Sequence, residues 1–177
     1  MIFSLHEKVV YPGHGVAYIN RIIEKTVGGN KFSFYELTFI NKDATVLVPI
    51  NNATDELGIR ALSSIDKVAR ALEVIGEPAR RLHPYEFSAS SWNKRNKQYQ
   101  LKLRRGSIIE LSEIYRDLRF IETQKELSFG EKKLLSKAEA LLVEEISLVQ
   151  LSDEKKTIES LRSLTNQSFK QSDAVSA

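Results

Sequence analysis

No cysteine occurs in this chain of 177 residues. That absence excludes a disulfide framework and thiolate metal sites, and it fits a reducing cytoplasm. No apolar run approaches the roughly 20 residues that a membrane-spanning helix requires. The opening residues, Met1-Ile2-Phe3-Ser4-Leu5-His6-Glu7-Lys8, carry neither a basic n-region nor the apolar stretch of a secretion signal. A soluble, cytoplasmic protein with no membrane partner is therefore expected. Catalytic signatures are missing too. His6, His14 and His83 share no helical ligand spacing, and no nucleophile motif or phosphate-binding glycine loop is present. His14, flanked by glycines, reads as a turn residue rather than a base. The expectation is a non-enzyme with no metal, no cofactor and no small-molecule substrate.

What is present is organised in two parts. Residues 1–62 hold six basic and six acidic side chains, which cancel. They read as β: short runs rich in Val, Ile, Tyr and Phe, broken by turn residues. Pro12-Gly13-His14-Gly15 and Gly28-Gly29-Asn30 offer glycines for positive φ, and Asn41-Lys42-Asp43 closes a further hairpin. Along 31–40, Tyr35, Leu37 and Phe39 alternate with Glu36 and Thr38. Four or five such short strands bury an apolar face most economically as a small twisted barrel.

From Ser63 the period becomes helical. Ile65, Val68, Leu72 and Ile75 form a stripe that ends at Gly76 and Pro78. Ser90 and Ser91 are candidate N-caps for the next helix, which stops at Gly106. Ser107 with Glu110, and Ser128 with Glu131, spell capping boxes for two more. A shorter helix covers 153–164, and the Ser/Gln/Asn-rich tail at 166–177 is expected to be disordered. The predicted architecture is α+β, a small β-barrel (1–62) followed by an all-α bundle (63–165).

Charge is concentrated in one place. Residues 80–105 hold eight basic side chains against Glu86 alone, and residues 92–105 hold six with no acid and the only tryptophan. No opposite charge lies at i+4 within that helix, so its cations read as unpaired. Trp92 has Arg95 and Asn96 at i+3 and i+4, and no apolar stripe joins it before Tyr99 and Leu103. That places the ring at a rim rather than in a core. On residues alone the segment fits phosphate contact and a solvated face equally well.

The order of several fragments resembles the CarD/CdnL family of bacterial transcription regulators. In the first part these are Val9-Val10-Tyr11-Pro12-Gly13-His14-Gly15-Val16, Tyr35-Glu36-Leu37-Thr38-Phe39, Val46-Leu47-Val48-Pro49 and Gly58-Ile59-Arg60. In the second they are Trp92-Asn93-Lys94-Arg95, Gly106, Arg116-Asp117-Leu118 and Leu127-Ser128-Phe129-Gly130-Glu131-Lys132. The resemblance implies a Tudor-like barrel that docks on the β subunit of RNA polymerase through Lys25, Thr45, Val46, Leu47, Val48 and Pro49. It implies a helical module against promoter DNA at the upstream edge of the melted bubble, without base-specific reading. There Trp92 would wedge into the minor groove, with Lys94, Arg95, Lys97, Arg116 and Lys132 as the surrounding cations. Such a protein would act as a monomer that stabilises the open promoter complex. Some family members carry a basic residue where Leu47 stands, and others carry basic residues where Phe120-Ile121 stands. Polymerase contact here would then rest on strand pairing and apolar packing, and DNA contact on Arg95, Lys97 and Arg116. The alternatives are a free-standing, non-specific architectural DNA-binding protein and an adaptor whose basic helix meets an acidic protein surface.

Overall fold

The computed structural model describes residues 3–175. The chain divides into two compact units: one runs to Leu62 and takes in Arg104–Gly106, the other comprises Ser63–Leu103 and the chain from Ser107 onward.

The first unit is a five-stranded antiparallel sheet of β1 (Lys8–Tyr11), β2 (Gly15–Val27), β3 (Asn30–Phe39), β4 (Thr45–Pro49) and β5 (Arg60–Ala61), in the order β4-β3-β2-β1-β5. The fold is α+β, with this unit Tudor-like. Gly28 and Gly29 make the two-residue β2–β3 turn with φ of 57° and 83°, a conformation that other residues adopt at a cost. Phe3, Val9, Ile19, Tyr35, Leu37 and Val48 fill the core, and the Phe3 amide donates to the Tyr35 hydroxyl at 2.9 Å. The β2–β3 register slips between Ile19 and Arg21. That bulge lets Asn20 and Arg21 both donate to the Glu36 carboxylate on the opposite face, at 2.6 Å and 2.9 Å.

The second unit holds α1 (Ile65–Gly76), α2 (Ala89–Arg105), α3 (Ile108–Gln124), α4 (Phe129–Gln150) and α5 (Glu154–Val175). Its core joins Val68, Ala71 and Ile75 to Tyr99, Leu103, Tyr115, Leu118, Leu142, Ile146 and Leu161. The Ser63 amide donates to the buried Glu145 carboxylate at 2.9 Å, which ties the start of α1 to α4.

Several expectations fail here. Ile65 is exposed at the first position of α1, so the buried stripe is Val68, Ala71, Val74 and Ile75. Helix α2 starts at Ala89, two residues earlier than a Ser90 cap implies. Its capping hydroxyl is Ser88, which accepts from the Ser91 amide, rather than Ser90 or Ser91. Ser107 does precede α3, but its side chain makes no capping bond, so the box with Glu110 does not form. The tail is the largest correction. Instead of a short helix and a disordered 166–177, α5 continues to Val175; residues 176–177 lie outside the described ones. Phe169, only 8% exposed, supplies the apolar contact, its ring 5.2 Å from that of Phe120. The hydroxyls that made the tail look like loop are bonded back into the helix: Thr165 to the Arg162 carbonyl at 2.9 Å and Ser168 to the Thr165 carbonyl at 3.0 Å.

Candidate functional site

Trp92 sits in the first turn of α2, where its amide donates to the Ser88 carbonyl at 3.0 Å. The indole is half-buried. Two turns further along the same face, Tyr99 lies with its ring centroid 6.5 Å away. On the other side the indole lies across the start of α4. A Cβ added to Gly130 would stand 3.4 Å from Cζ2 and 3.5 Å from Nε1 of Trp92, in van der Waals contact, so the indole packs directly over this glycine.

Arg95, one turn beyond Trp92, holds this arrangement from below. Its guanidinium donates to the Glu86 carbonyl at 2.6 Å and approaches the Glu131 carboxylate at 3.5 Å, and its side chain is 17% exposed. Glu131 is 1% exposed. It completes the capping box by accepting from the Ser128 amide at 2.8 Å, and it accepts from Lys125 at 2.5 Å. Burial pushes the Glu131 carboxyl up, but the Lys125 ammonium and the Ser128 amide outweigh it and leave it below the usual range.

The sequence-derived cations therefore separate. Arg95 and Lys102 are paired across helices, Lys102 with Glu113 at 2.6 Å, so the reading of six unpaired charges does not hold. Partners 36 and 11 residues away supply what i+4 neighbours do not. Arg116 is turned inward, bonded to Asp117 at 2.9 Å and near Glu77 at 3.5 Å. Burial pushes the Asp117 carboxyl up, and Arg116 opposes that shift. Lys132 is exposed but pairs with Glu126 at 2.9 Å. Lys94 and Lys97 are exposed and form no ion pair among the described residues. Gly130, Glu131 and Tyr99 belong to the seat of Trp92, yet sequence reasoning missed that role. The Ser128–Glu131 capping box was a visible signal, read only as a helix start.

In the β unit, β4 is an edge of the sheet. Val48 is buried and Val46 half-buried, while Thr45 and Leu47, 41% exposed, lie on the opposite face. Cross-strand register gives that outer face three rows: Arg21, Glu36 and Leu47; Ile23, Phe34 and Pro49; Lys25 and Phe32. Ile23, Phe32 and Phe34 were not expected there; the bulge at Ile19/Arg21 sets which β2 residues share the face. An exposed edge beside an apolar, cation-flanked surface has the form of a protein-docking face.

A Tudor-like unit with such a face is thus followed in the chain by a helical unit that carries a seated tryptophan and exposed lysines. Residues 3–63 match the CarD-like/TRCF RID domain, and residues 82–162 match the CarD, C-terminal domain. A curated Bacillus subtilis (strain 168) protein described as "Putative transcription factor YdeB" is 28% identical over 156 residues, covering 87% of this chain and 96% of that protein. The chain belongs to the CarD family and is a regulator of transcription. Among the described residues no helix is long and apolar enough to cross a membrane.

Proposed function

We propose that this chain docks on the β subunit of RNA polymerase through β4 and stabilises the open promoter complex through Trp92 at the upstream edge of the bubble. The observation that carries this reading is the seat of Trp92: a partly buried ring packed beside Tyr99 and Gly130, on a helix tied to α4 by the Arg95–Glu131 pair and carrying two exposed lysines. A rigid aromatic at an unstacked base step opposes closure of the duplex, and cations nearby supply phosphate affinity without sequence preference. Lys25, Thr45, Leu47 and Pro49 contribute side chains to docking, while Val46 and Val48 contribute backbone to an added strand. The apolar outer face favours a protein-bound regulator over a free-standing DNA-binding protein, which has no use for it.

Leu47→Glu tests the docking half. Leu47 is exposed, so the variant is expected to melt with the wild type while its affinity for the isolated β subunit falls at least about tenfold, the value of one desolvated charge of roughly 1.4 kcal/mol or more. Unchanged affinity in a folded variant would remove β4 from the docking surface.

Lys94 and Lys97 test the DNA half. Replacing both by Ala is expected to weaken binding to every duplex sequence alike and to flatten the log–log salt slope by about 0.9 for each phosphate that is no longer neutralised. Arg95→Ala, in contrast, is expected to lower stability, because its partners are Glu86 and Glu131. An unchanged slope for the double lysine variant would assign those side chains to a solvated face.

A further inference from the structure

Phe129 opens α4 and is 83% exposed, against 43% for Phe32. It belongs to none of the three buried clusters. Yet its backbone is fixed: Ser128 caps the helix, and the Lys132 amide donates to the Ser128 carbonyl at 2.9 Å. The next residue is Gly130, the one whose added Cβ would stand 3.4 Å from the Trp92 indole. Consecutive Cα atoms are about 3.8 Å apart, so Phe129 and the indole leave neighbouring positions on two helices. The indole is partly buried and the Phe129 ring almost fully exposed.

Exposed cations lie on the same two helices. Lys94 and Lys97 on α2 and Lys133 on α4 are exposed and form no ion pair among the described residues, whereas the charge of Lys132 is shared with Glu126. The α4 N-terminus adds a partial positive charge. Aromatic rings that leave neighbouring positions on two helices, with unpaired cations on the same helices, suit single-stranded nucleic acid: bases stack on rings while phosphates follow the charges. An intact duplex has no use for a second exposed ring, because its bases are already stacked.

We propose that Phe129 stacks on an unpaired nucleobase beside the one met by Trp92, so that the two rings together favour melted over duplex DNA. This rests on the DNA-contacting role of Trp92 given above. The test uses the full chain with two labelled DNAs of one sequence, one fully paired and one with a central unpaired bubble. Wild type, Phe129→Ala, Phe129→Leu and Trp92→Ala are compared. The bubble-over-duplex affinity ratio is expected to fall about 5-fold or more in both Phe129 variants, since leucine keeps the apolar volume but offers no ring to stack on. Melting temperature and duplex affinity should stay at the wild-type values. Retention of the ratio by Phe129→Leu would overturn stacking in favour of simple apolar contact. A normal ratio in both Phe129 variants, with a reduced one in Trp92→Ala, would overturn this inference alone. A normal ratio in all three variants would overturn the underlying reading as well. Loss of polymerase affinity with an unchanged DNA ratio would assign Phe129 to a protein contact and overturn the proposal.

Discussion

Trp92→Ala is expected to shorten the lifetime of open promoter complexes by about 5- to 150-fold. Stacking of one base on an aromatic ring contributes about 1–3 kcal/mol, and that sum is lost only from the opened state. The cost to the fold is smaller than for a core tryptophan. Full truncation of a buried tryptophan costs about 3–5 kcal/mol, but this indole is half-buried and one side of its seat is a glycine. Roughly half that cost, about 2 kcal/mol, corresponds to a melting-temperature drop of about 4–8 °C in a chain of this size. Affinity for the polymerase β subunit is expected to be unchanged, because β4 lies in the other unit. A normal lifetime with folded Trp92→Ala would remove the ring from the mechanism. A collapse in stability would make it a core residue.

The largest effect on stability is expected at Glu131. Its carboxylate is buried and accepts from Lys125 and the Ser128 amide, with Arg95 nearby. Glu131→Gln removes the charge and leaves Arg95, itself largely buried, without an anion; breaking such a pair costs about 3–5 kcal/mol. Trp92 is the only tryptophan, so its fluorescence reports on the seat directly. Emission should shift to longer wavelength as the indole loosens. The pH dependence has a definite sign. Because the folded-state pKa of Glu131 is lowered, its stabilising contribution is full above the unfolded value of about 4.3 and is lost as pH falls through the folded value. The stability gap between wild type and Glu131→Gln should therefore close in acid. A gap that stays constant from neutral pH into that range would show that the ionised carboxylate is not what holds the seat.

Local signals in the sequence carried most of the fold. The Gly28-Gly29 turn, the alternation through Tyr35, Leu37 and Phe39, and the Ser128–Glu131 box each depend on neighbours a few residues apart, and each appears as read. The order of family fragments carried the class of protein. What could not be read is non-local. Arg95 meets Glu131 across 36 residues, so a segment that looks purely cationic contains an internal ion pair. The face shared by Ile23, Phe34 and Pro49 depends on a bulge that no residue type announces. Helix α5 outlasts its composition because Phe169 finds Phe120, and Thr165 and Ser168 satisfy their hydroxyls on the helix itself. Ser107 illustrates the reverse: a capping motif can be spelled in sequence and left unused when the side chain makes no bond.

In the proposed mechanism, docking on polymerase and ring insertion act together to keep promoter DNA open. The most direct measurement is the half-life of open complexes after addition of a competitor that traps free polymerase. Three samples suffice: polymerase alone, polymerase with the saturating wild-type chain, and polymerase with Leu47→Glu at the same concentration. A longer half-life is expected with the wild-type chain, and one close to that of polymerase alone with Leu47→Glu. Equal half-lives with and without the wild-type chain would contradict it.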